Sequence, residues 1–271
     1  MDTAPDAHLA ELTARRPDPP VAVVTGASRG IGAGLADVFA RAGFAIGSCA
    51  RTRPELPAGA VAGLTASVDV RDADAVAQFA AAVTDDVGPI DLWINNAGVL
   101  DPIGPLRDAP VEALETHVQV NLLGVLWGSR TFAGIVHARD EPGTLVNISS
   151  GAGRSVYEGW AAYCATKAAV EQLTRVVAAE EADHGLAAFA VAPGVVDTGM
   201  QALIRSTSPD RFPSVERFHD LKSTGAFNSP EWVGACLLDL HRAAGNGALP
   251  DWVPSADSVV FRLPSEPRSA C

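Results

Sequence analysis

Short apolar runs alternate along the chain with longer stretches in which apolar residues recur every three or four positions. The run at residues 21–24 contains only valine and alanine, which is typical of a strand buried in a parallel sheet. After it, Leu35, Val38 and Phe39 follow the spacing of one helical face. Strands that alternate with helices form a parallel sheet covered on both faces. The pattern therefore predicts an α/β fold with a single doubly wound sheet.

The same pattern predicts further elements in order. Strands are predicted within residues 44–50, 64–68, 91–95, 144–148, 186–192 and 252–263, and helices at residues 72–84, 111–137, about 163–182 and 230–242. Asp72 is expected to cap the first of these helices, because an aspartate side chain can accept the free N–H groups of a first helical turn.

No internal repeat or linker divides the chain. Residues 1–20 are polar and rich in proline and are predicted to form a flexible tail, which leaves residues 21–271 as one domain. Within it, residues 200–225 combine polar residues with short helical fragments. They are expected to form either a mobile lid over a bound ligand or a plain surface loop.

Composition and charge exclude several classes of function. A chain of 271 residues, 48% of them hydrophobic, is long enough for one large domain with a sizeable core. Its net charge of −12 makes nucleic acid and anionic membranes poor partners. Cys49, Cys164, Cys236 and Cys271 are far apart and form no cluster with histidine, so we expect neither disulfides nor a metal site. No apolar run reaches the ~18 residues of a membrane span, and we predict a soluble cytoplasmic protein.

A glycine-rich turn follows the first strand and leads into the first helix. Gly26, Gly30 and Gly32 lie where the backbone can approach a ligand closely, and a helix N-terminus offers free N–H groups to a phosphate. The spacing differs from the Gly-x-Gly-x-x-Gly dinucleotide fingerprint, so that pattern does not apply. The alternative is that these glycines only permit a tight turn.

The end of the second predicted strand bears on which nucleotide would be bound. An acidic residue there would select NAD, whereas this chain has Ala50 followed by Arg51, and Arg29 lies inside the glycine turn. Two guanidinium groups near one ribose suit a 2′-phosphate, which they can bind with forked hydrogen bonds. We therefore predict NADP as the cofactor, with NADPH preferred over NADH. The alternative is that both arginines are simply solvated.

Three polar residues suggest acid–base chemistry on a carbonyl group. Tyr163 and Lys167 lie one helical turn apart on one face, and Ser150 stands at the end of a predicted strand. A neighbouring cation favours the phenolate and lowers the pKa of the tyrosine. The set could supply a proton donor, its electrostatic tuner and a hydrogen-bond donor for a carbonyl oxygen. Taken alone, a Tyr-x-x-x-Lys pair can also arise by chance on a solvated helix face.

With these motifs in view, the chain resembles the short-chain dehydrogenase/reductase family. The matching pieces are the TGASRGIG run at residues 25–32, Asp69-Val70, the NNAG run at residues 95–98, Asn121, Ser150, Tyr163-x-x-x-Lys167, and Pro193-Gly194 with Thr198. They occur in the family's order and at its spacings across residues 21–200. In the second half, residues 159–164, 179–181, 192–201 and 220–225 are similar to the sepiapterin reductase and benzil reductase branch.

The resemblance implies a Rossmann-type fold and a role for each matching residue. Tyr163 would be the general acid toward a carbonyl oxygen or the base toward an alcohol, and Lys167 would lower its pKa and hold the nicotinamide ribose. Ser150 would bond the substrate oxygen, and Asn121 would hold a water that links Lys167 to solvent. The implied cofactor-binding residues are Gly26, Ser28, Arg29, Gly30, Ile31, Gly32, Arg51, Asp69, Val70, Asn96, Ala97, Gly98, Tyr163, Lys167, Pro193, Gly194, Val196 and Thr198.

The substrate side is less defined by motifs. Ser150 and Tyr163 would contact the substrate, and Met200 is expected to line the cleft, as are Leu100 and Phe212. Trp160 could form an aromatic wall of the cleft or could pack in the core at the start of its helix. Sepiapterin reductases anchor the pterin with an acid near the C-terminal strand, and neither Asp251 nor Asp257 falls in a convincing match. We therefore expect a small hydrophobic ketone or diketone rather than sepiapterin.

The favoured function is an NADPH-dependent carbonyl reductase acting on ketones or vicinal diketones. The alternatives are an NAD(P)-dependent alcohol dehydrogenase working oxidatively and a non-catalytic dinucleotide-binding protein. The helices that hold Asn121 and Tyr163 form dimer bundles in the family, so a homodimer or a tetramer is expected. The apolar residues available for such an interface are Leu122, Leu123, Val125, Leu126 and Trp127, which could equally face the protein's own sheet.

Overall fold

One sheet of seven parallel strands organises the residues described by the computed structural model, which are 18–139, 141–255 and 257–267. The strands are β1 (Val21–Thr25), β2 (Ala45–Ala50), β3 (Gly63–Ser67), β4 (Ile90–Asn95), β5 (Gly143–Ile148), β6 (Leu186–Ala192) and β7 (Val260–Arg262). Their order across the sheet is β3-β2-β1-β4-β5-β6-β7. Most of the tail predicted at residues 1–20 lies outside the described residues, as does Cys271.

Helices cover both faces of this sheet. They are α1 (Gly30–Arg41), α2 (Ala73–Asp86), α3 (Val111–Val118), α4 (Gly124–Arg139), α5 (Ala161–Glu181), α6 (Gly199–Arg205), α7 (Val215–Thr224) and α8 (Pro230–Gly245). On one face, Phe39 of α1 and Leu237 of α8 are completely buried against the strands. On the other face, Phe79 of α2, Phe132 of α4 and Val177 of α5 are buried in a second core cluster. The strand order and the two helical layers confirm the predicted doubly wound α/β fold.

Reversal of the strand order creates a crevice at the carboxyl ends of β1 and β4. The chain passes from β1 to β2 on one side and later returns to β4 on the other, and ligands bind at such switch points in open α/β sheets. The glycine turn leaves β1 at this edge, and residues 96–98 leave β4 beside it. The fold therefore brings the two predicted nucleotide-binding segments together.

The helix predicted at residues 111–137 is interrupted. Between α3 and α4, Gln119–Leu123 form one π-helical turn, and Asn121 lies within it. Such turns accommodate an extra residue in a helix and are frequent at functional sites. The next residue, Gly124, has no room for a side chain, because a Cβ atom there would lie 2.8 Å from Cγ2 of Val70. The interruption thus lets the helix pass close to Val70, one of the residues expected to bind the cofactor.

Two other predictions about elements are confirmed. Asp72 caps α2, where its carboxylate accepts the N–H groups of Asp74 and Ala75, each at 3.0 Å. The strand predicted at residues 186–192 has those bounds, because all but one of its residues are buried and the apolar run marks its whole length. In the described part of the chain, no helix has the length and apolarity needed to cross a membrane.

Candidate active site

Tyr163, Ser150 and Lys167 meet at the carboxyl end of β5. Tyr163 lies in the first turn of α5, and its hydroxyl forms a hydrogen bond with Ser150, which directly follows the strand. Lys167 is buried one turn later, where its Nζ donates a hydrogen bond of 2.7 Å to the Ile148 carbonyl. The same Nζ lies 5.7 Å from the centre of the Tyr163 ring. The arrangement brings two hydroxyl groups and one ammonium group to one spot.

The electrostatics of Tyr163 differ from the sequence prediction. Burial of its hydroxyl raises the pKa of Tyr163, and the hydrogen bond from Ser150 lowers that pKa by less. Burial also lowers the pKa of Lys167, to about 8, while Glu171 acts to raise it. The prediction of a lowered tyrosine pKa is therefore wrong in direction, because desolvation by burial is the largest effect on this hydroxyl.

Glu171 completes the row of residues along α5, and the sequence analysis missed it. It lies one turn beyond Lys167 and is only 3% exposed. Its carboxylate accepts a hydrogen bond of 2.9 Å from the Ser149 hydroxyl and lies 3.4 Å from Nε of Arg154. The i, i+4, i+8 spacing with Tyr163 was the available signal, since these positions share one helical face.

Asn121 is completely buried, and its side chain is engaged by two neighbours. Oδ1 accepts the Val99 N–H at 2.8 Å, and Nδ2 donates to the Val99 carbonyl at 2.7 Å. The second Nδ2 proton faces Nε2 of His117 at 2.8 Å. Both amide protons are thus committed within the protein, and holding a water for Lys167 stays a prediction for this residue.

Backbone geometry requires glycine at two positions of the turn. Gly26 has a φ of +68°, and a Cβ atom there would lie 2.7 Å from the Ala97 Cα. A Cβ at Gly32 would lie 2.5 Å from both the Gly26 carbonyl oxygen and Nδ2 of Asn96. These close approaches explain why glycine occupies both positions, because any larger residue would displace the segment beside it.

The turn also has the features of a phosphate cradle. Arg29 is the N-cap of α1 but makes no side-chain capping bond, which leaves the first N–H groups of the helix for another acceptor. A phosphate suits this position because the N-terminal end of a helix carries partial positive charge. Ser28 and Gly30 are exposed, and Ile31 is partly exposed, along the same turn. The residues present therefore fit a dinucleotide.

Residues 96–98 form a wall next to this cradle. The Thr25 hydroxyl oxygen accepts the N–H groups of Asn96 and Ala97 at 3.0 and 3.2 Å. Nδ2 of Asn96 donates to the carbonyl groups of Thr25 and Gly26, at 3.0 and 3.3 Å. Gly98 lies against Asn121, where a Cβ would be 3.3 Å from Oδ1. These bonds join the ends of β1 and β4 into one rigid surface.

Three arginines, Arg29, Arg51 and Arg71, lie within or next to the residues expected to bind the cofactor. Arg29 and Arg51 are both exposed, and neither forms an ion pair with another residue of the described ranges. Asp69 is paired with Arg71, whose Nη2 lies 2.6 Å from a carboxylate oxygen. Arg71 lowers the pKa of Asp69, and Arg51 acts in the same direction more weakly. Arg71 was missed by the sequence analysis, while Val70 beside it is buried under Gly124.

Pro193 and Gly194 are held by a residue that the motifs did not indicate. Nδ2 of Asn228 donates to the Pro193 carbonyl at 2.8 Å, and Gly194 has a φ of +78°. A Cβ at Gly194 would lie 2.7 Å from that Nδ2 atom. Val196 pairs with Asn228 in an isolated parallel bridge, and Thr198 is the N-cap of α6. The four predicted residues therefore share one ordered segment.

An aromatic cluster borders the tyrosine. Trp160 is 5% exposed, stacks on Phe212 with ring centres 4.5 Å apart, and meets the Tyr163 ring edge-on at 5.5 Å. Leu100 is buried in the same cluster, and Met200 packs against it. The structure therefore favours the core-packing alternative for Trp160. Phe212 is completely buried, so the cluster lies beneath the surface beside Tyr163 and does not line an open cleft.

Residues 200–225 contain α6 and α7 and are attached to the cluster at defined points. Nε and Nη2 of Arg211 donate to the Ile103 carbonyl at 3.0 and 2.7 Å. Asp197 forms ion pairs with Arg205 of α6 and Lys222 of α7. These contacts tie both helices to the loops that flank Tyr163, and whether the segment moves as a lid stays a prediction.

The residues predicted for a subunit interface divide into two groups. Val125 is buried within the protein. Leu122, Leu123, Leu126 and Trp127 are partly exposed. Leu126 lines a groove of about 270 Å³ between α4 and α5, together with Leu173 and Val177. An apolar surface is thus present on these two helices.

Comparison with known proteins agrees with this geometry. The family model for short chain dehydrogenases matches residues 20–209. A benzil reductase ((S)-benzoin forming) of Bacillus subtilis is 33% identical over 237 residues, which cover 84% of this chain and 96% of that protein. An NADPH-dependent pterin aldehyde reductase of Arabidopsis thaliana is 33% identical over 182 residues, 65% of this chain and 74% of that protein. The crystal structure of the KRED1-Pglu enzyme is similar with a TM-score of 0.73 and 28% identity, covering 89% of this chain and all of that one.

Proposed function

We propose, since the chain belongs to the short-chain dehydrogenase/reductase family, that it is an NADPH-dependent carbonyl reductase acting on ketones or vicinal diketones. One observation carries the proposal. The Tyr163 hydroxyl is hydrogen-bonded to Ser150 while the Lys167 ammonium group lies 5.7 Å from the tyrosine ring. A proton donor, a second hydroxyl and a cation are thus available to one carbonyl oxygen.

In the proposed reaction, Tyr163 donates its proton to the carbonyl oxygen as negative charge develops there. Ser150 donates a hydrogen bond to the same oxygen and stabilises that charge. The phenolate left on Tyr163 would lie beside Lys167, and a neighbouring ammonium group stabilises a phenolate. The lysine would therefore act mainly after the proton has left.

The cofactor would be held along the edge of the sheet. Gly26, Gly30 and Gly32 with the start of α1 would hold the diphosphate, residues 96–98 the adenosine side, and residues 193–198 the nicotinamide side. When bound, the reduced nicotinamide supplies the hydride that becomes the new C–H bond of the alcohol. Arg29 and Arg51, which are exposed and unpaired within the described ranges, would bind the 2′-phosphate of NADPH.

We prefer the reductive direction because the two similar curated proteins named above are reductases. Burial raises the pKa of Tyr163, so the phenol is protonated at neutral pH and can act as the proton donor. The non-catalytic alternative is disfavoured because Ser150, Tyr163 and Lys167 are all present and lie close together.

The proposed substrate class rests on the chemistry of the cluster beside Tyr163. Leu100, Trp160, Met200 and Phe212 offer an apolar and aromatic environment, which suits a small hydrophobic ketone. The similarity to a benzil reductase extends the proposal to vicinal diketones. For assembly we propose a homodimer formed through α4 and α5, with a tetramer as the other possibility, and we propose the cytoplasm as the compartment.

The test follows the consumption of NADPH by absorbance with benzil, an aliphatic diketone, an aromatic monoketone and sepiapterin. We expect turnover with a diketone, and we expect Tyr163→Phe to reduce it by at least about a hundredfold while NADPH still binds. Tyr157→Phe is the matched control, because Tyr157 is the other tyrosine of the chain and bonds Arg217 instead. Near-full activity in Tyr163→Phe would rule out the proposed mechanism.

A further inference from the structure

His117 occupies a buried position next to the proposed catalytic residues, and none of the motifs assigned it a role. It lies in α3, one turn before Asn121, and is completely buried. Its ring meets the Tyr163 ring edge-on with centres 6.0 Å apart. Its Nε2 also lies 3.3 Å from the Thr166 hydroxyl oxygen on α5. The imidazole thus connects α3, the π-helical turn and the helix that carries Tyr163.

Hydrogen bonding determines which nitrogen of His117 carries the proton. The Val99 backbone fixes the Asn121 amide, because its N–H needs the Oδ1 acceptor and its carbonyl needs an Nδ2 proton. The remaining Nδ2 proton points to Nε2 of His117 at 2.8 Å, so Nε2 must be the acceptor.

The other ring nitrogen leads to the same conclusion independently. Nδ1 of His117 lies 2.7 Å from the Asp101 carbonyl oxygen, which can only accept. Nδ1 therefore donates, and the ring is neutral with its proton on Nδ1. The alternative tautomer would place two lone pairs against each other at Asp101 and two protons against each other at Asn121.

We propose that His117 is a positioning residue for the proposed carbonyl reductase, and that its unprotonated Nε2 holds the Asn121 amide in place. This inference rests on the proposed function. Asn121 in turn holds both backbone groups of Val99, directly after the wall formed by residues 96–98. His117 thereby joins the predicted nucleotide wall to the helix of Tyr163 without contacting substrate or cofactor itself.

Protonation of His117 would break this connection. Once Nε2 carries a proton, it can no longer accept the hydrogen bond from the Asn121 amide, and the two N–H groups face each other. The ionisable groups that face the ring are Lys167 and Tyr163 on α5 and Asp101 in the preceding loop. Burial, the largest effect, lowers the pKa of His117, Lys167 lowers it further, and Asp101 opposes them.

The linkage between this histidine and stability has a definite sign. Because the folded pKa lies below that of a free histidine near 6.5, the unfolded chain takes up a proton first as the pH falls. Stability is therefore lost below about pH 6.5, where the unfolded state binds more protons. Replacing His117 by a residue that does not titrate should therefore remove this loss of stability at acid pH.

The first test is nitrogen NMR of the intact chain labelled at histidine. His117→Gln identifies the signal among the six histidines. We expect the proton on Nδ1, and we expect the ring to take up its second proton at a lower pH than the free histidine side chain near 6.5. A proton on Nε2 of the neutral ring, or protonation at or above the pH of a free histidine, would overturn the proposal. This readout does not depend on enzymatic activity.

The second test compares two variants. His117→Gln keeps an acceptor for Asn121, whereas His117→Leu keeps only the bulk and leaves an amide proton unpaired. We expect kcat to fall about tenfold in the leucine variant and to stay within about threefold of the wild type in the glutamine variant. In the wild type, protonation of His117 should lower kcat as the pH falls, which gives the pH profile an acid limb. The glutamine variant should lack this acid limb, and its stability should not fall on the acid side through this residue.

The outcomes separate this proposal from the proposed function. If no carbonyl compound is turned over, the proposed reductase fails, while the tautomer and the acid-side stability still decide the state of His117. If carbonyls are reduced but the glutamine variant is as slow as the leucine variant, or keeps the acid limb, His117 does not act through Nε2. Should the leucine variant not fold, the glutamine variant alone tests the pH profile.

Discussion

Lys167 donates its shortest hydrogen bond to the Ile148 carbonyl, at 2.7 Å, and not to Tyr163. A single neutral acceptor compensates little for the loss of hydration of a buried ammonium group. The carboxylate of Glu171 helps, because it acts to raise the lysine pKa, but burial still lowers that pKa to about 8. The buried environment of Lys167 therefore disfavours its charged form.

We predict that Lys167→Met abolishes turnover but becomes relatively more stable than the wild type at neutral pH. The unfolded lysine, with a pKa near 10.4, keeps its proton longer than the folded one, so wild-type stability rises with pH above about 8. Relative to the variant, the free energy of unfolding of the wild type should therefore increase by about 2 kcal/mol between about pH 7 and pH 9.5. Urea unfolding at both pH values measures it, and a pH-independent difference would contradict the lowered pKa.

We predict that Gly26→Ala destroys cofactor binding. The new Cβ would lie 2.7 Å from the Ala97 Cα, and the φ of +68° is strained for alanine. NADPH affinity should fall at least about a hundredfold in a fluorescence titration, because the turn and the adenosine wall must separate. Gly59→Ala is the control, since its nearest neighbour would be 3.9 Å from the added atom. Equal affinity in both variants would show that the turn does not hold the cofactor.

Arg51→Ala should weaken NADPH binding by about ten- to a hundredfold and leave NADH binding nearly unchanged. The reason is that a guanidinium group bound to a 2′-phosphate contributes a charge-assisted hydrogen bond that NADH cannot use. Dissociation constants for the two cofactors provide the measurement. Arg53→Ala is a suitable control, because Nε of Arg53 is already bonded to the Thr65 hydroxyl. An equal loss for both cofactors would place the 2′-phosphate elsewhere.

Arg211→Ala should loosen residues 200–225 and raise the substrate KM. The change leaves the Ile103 carbonyl without its two N–H donors and frees the segment from the loop before α3. Hydrogen exchange should become at least about tenfold faster in α6 and α7 and stay the same in the sheet. Arg217→Ala, which removes only an exposed contact to Tyr157, is the comparison. Unchanged exchange in the Arg211 variant would mean that Phe212 and its neighbours hold the segment by packing alone.

Local patterns were sufficient to predict the strands and the nucleotide-binding turn. Parallel strands buried on both faces read as apolar runs, and the glycine positions follow from a turn that must pass close to β4. The motif residues around Ser150 and Tyr163 could likewise be placed, because their spacing along one strand and one helix determines where they meet.

Contacts distant in sequence could not be predicted in this way. Asn228 bonds a carbonyl 35 residues away, and Glu171 accepts from a hydroxyl 22 residues away, so neither shows a local signature. The direction of the Tyr163 pKa was missed for a similar reason. Sequence spacing places a cation one turn away, but burial is a property of the whole fold, and it is the largest effect on this pKa.

The π-helical turn at Gln119–Leu123 has a consequence for protein engineering. One residue of an α-helix corresponds to a rotation of about 100°, so removing one residue to regularise this segment would turn the face of α3 away from α5. His117 would then point elsewhere while α4 kept its place on the sheet. Attempts to stabilise the enzyme by straightening this helix should therefore produce a well-folded protein whose nucleotide wall and tyrosine helix are no longer connected.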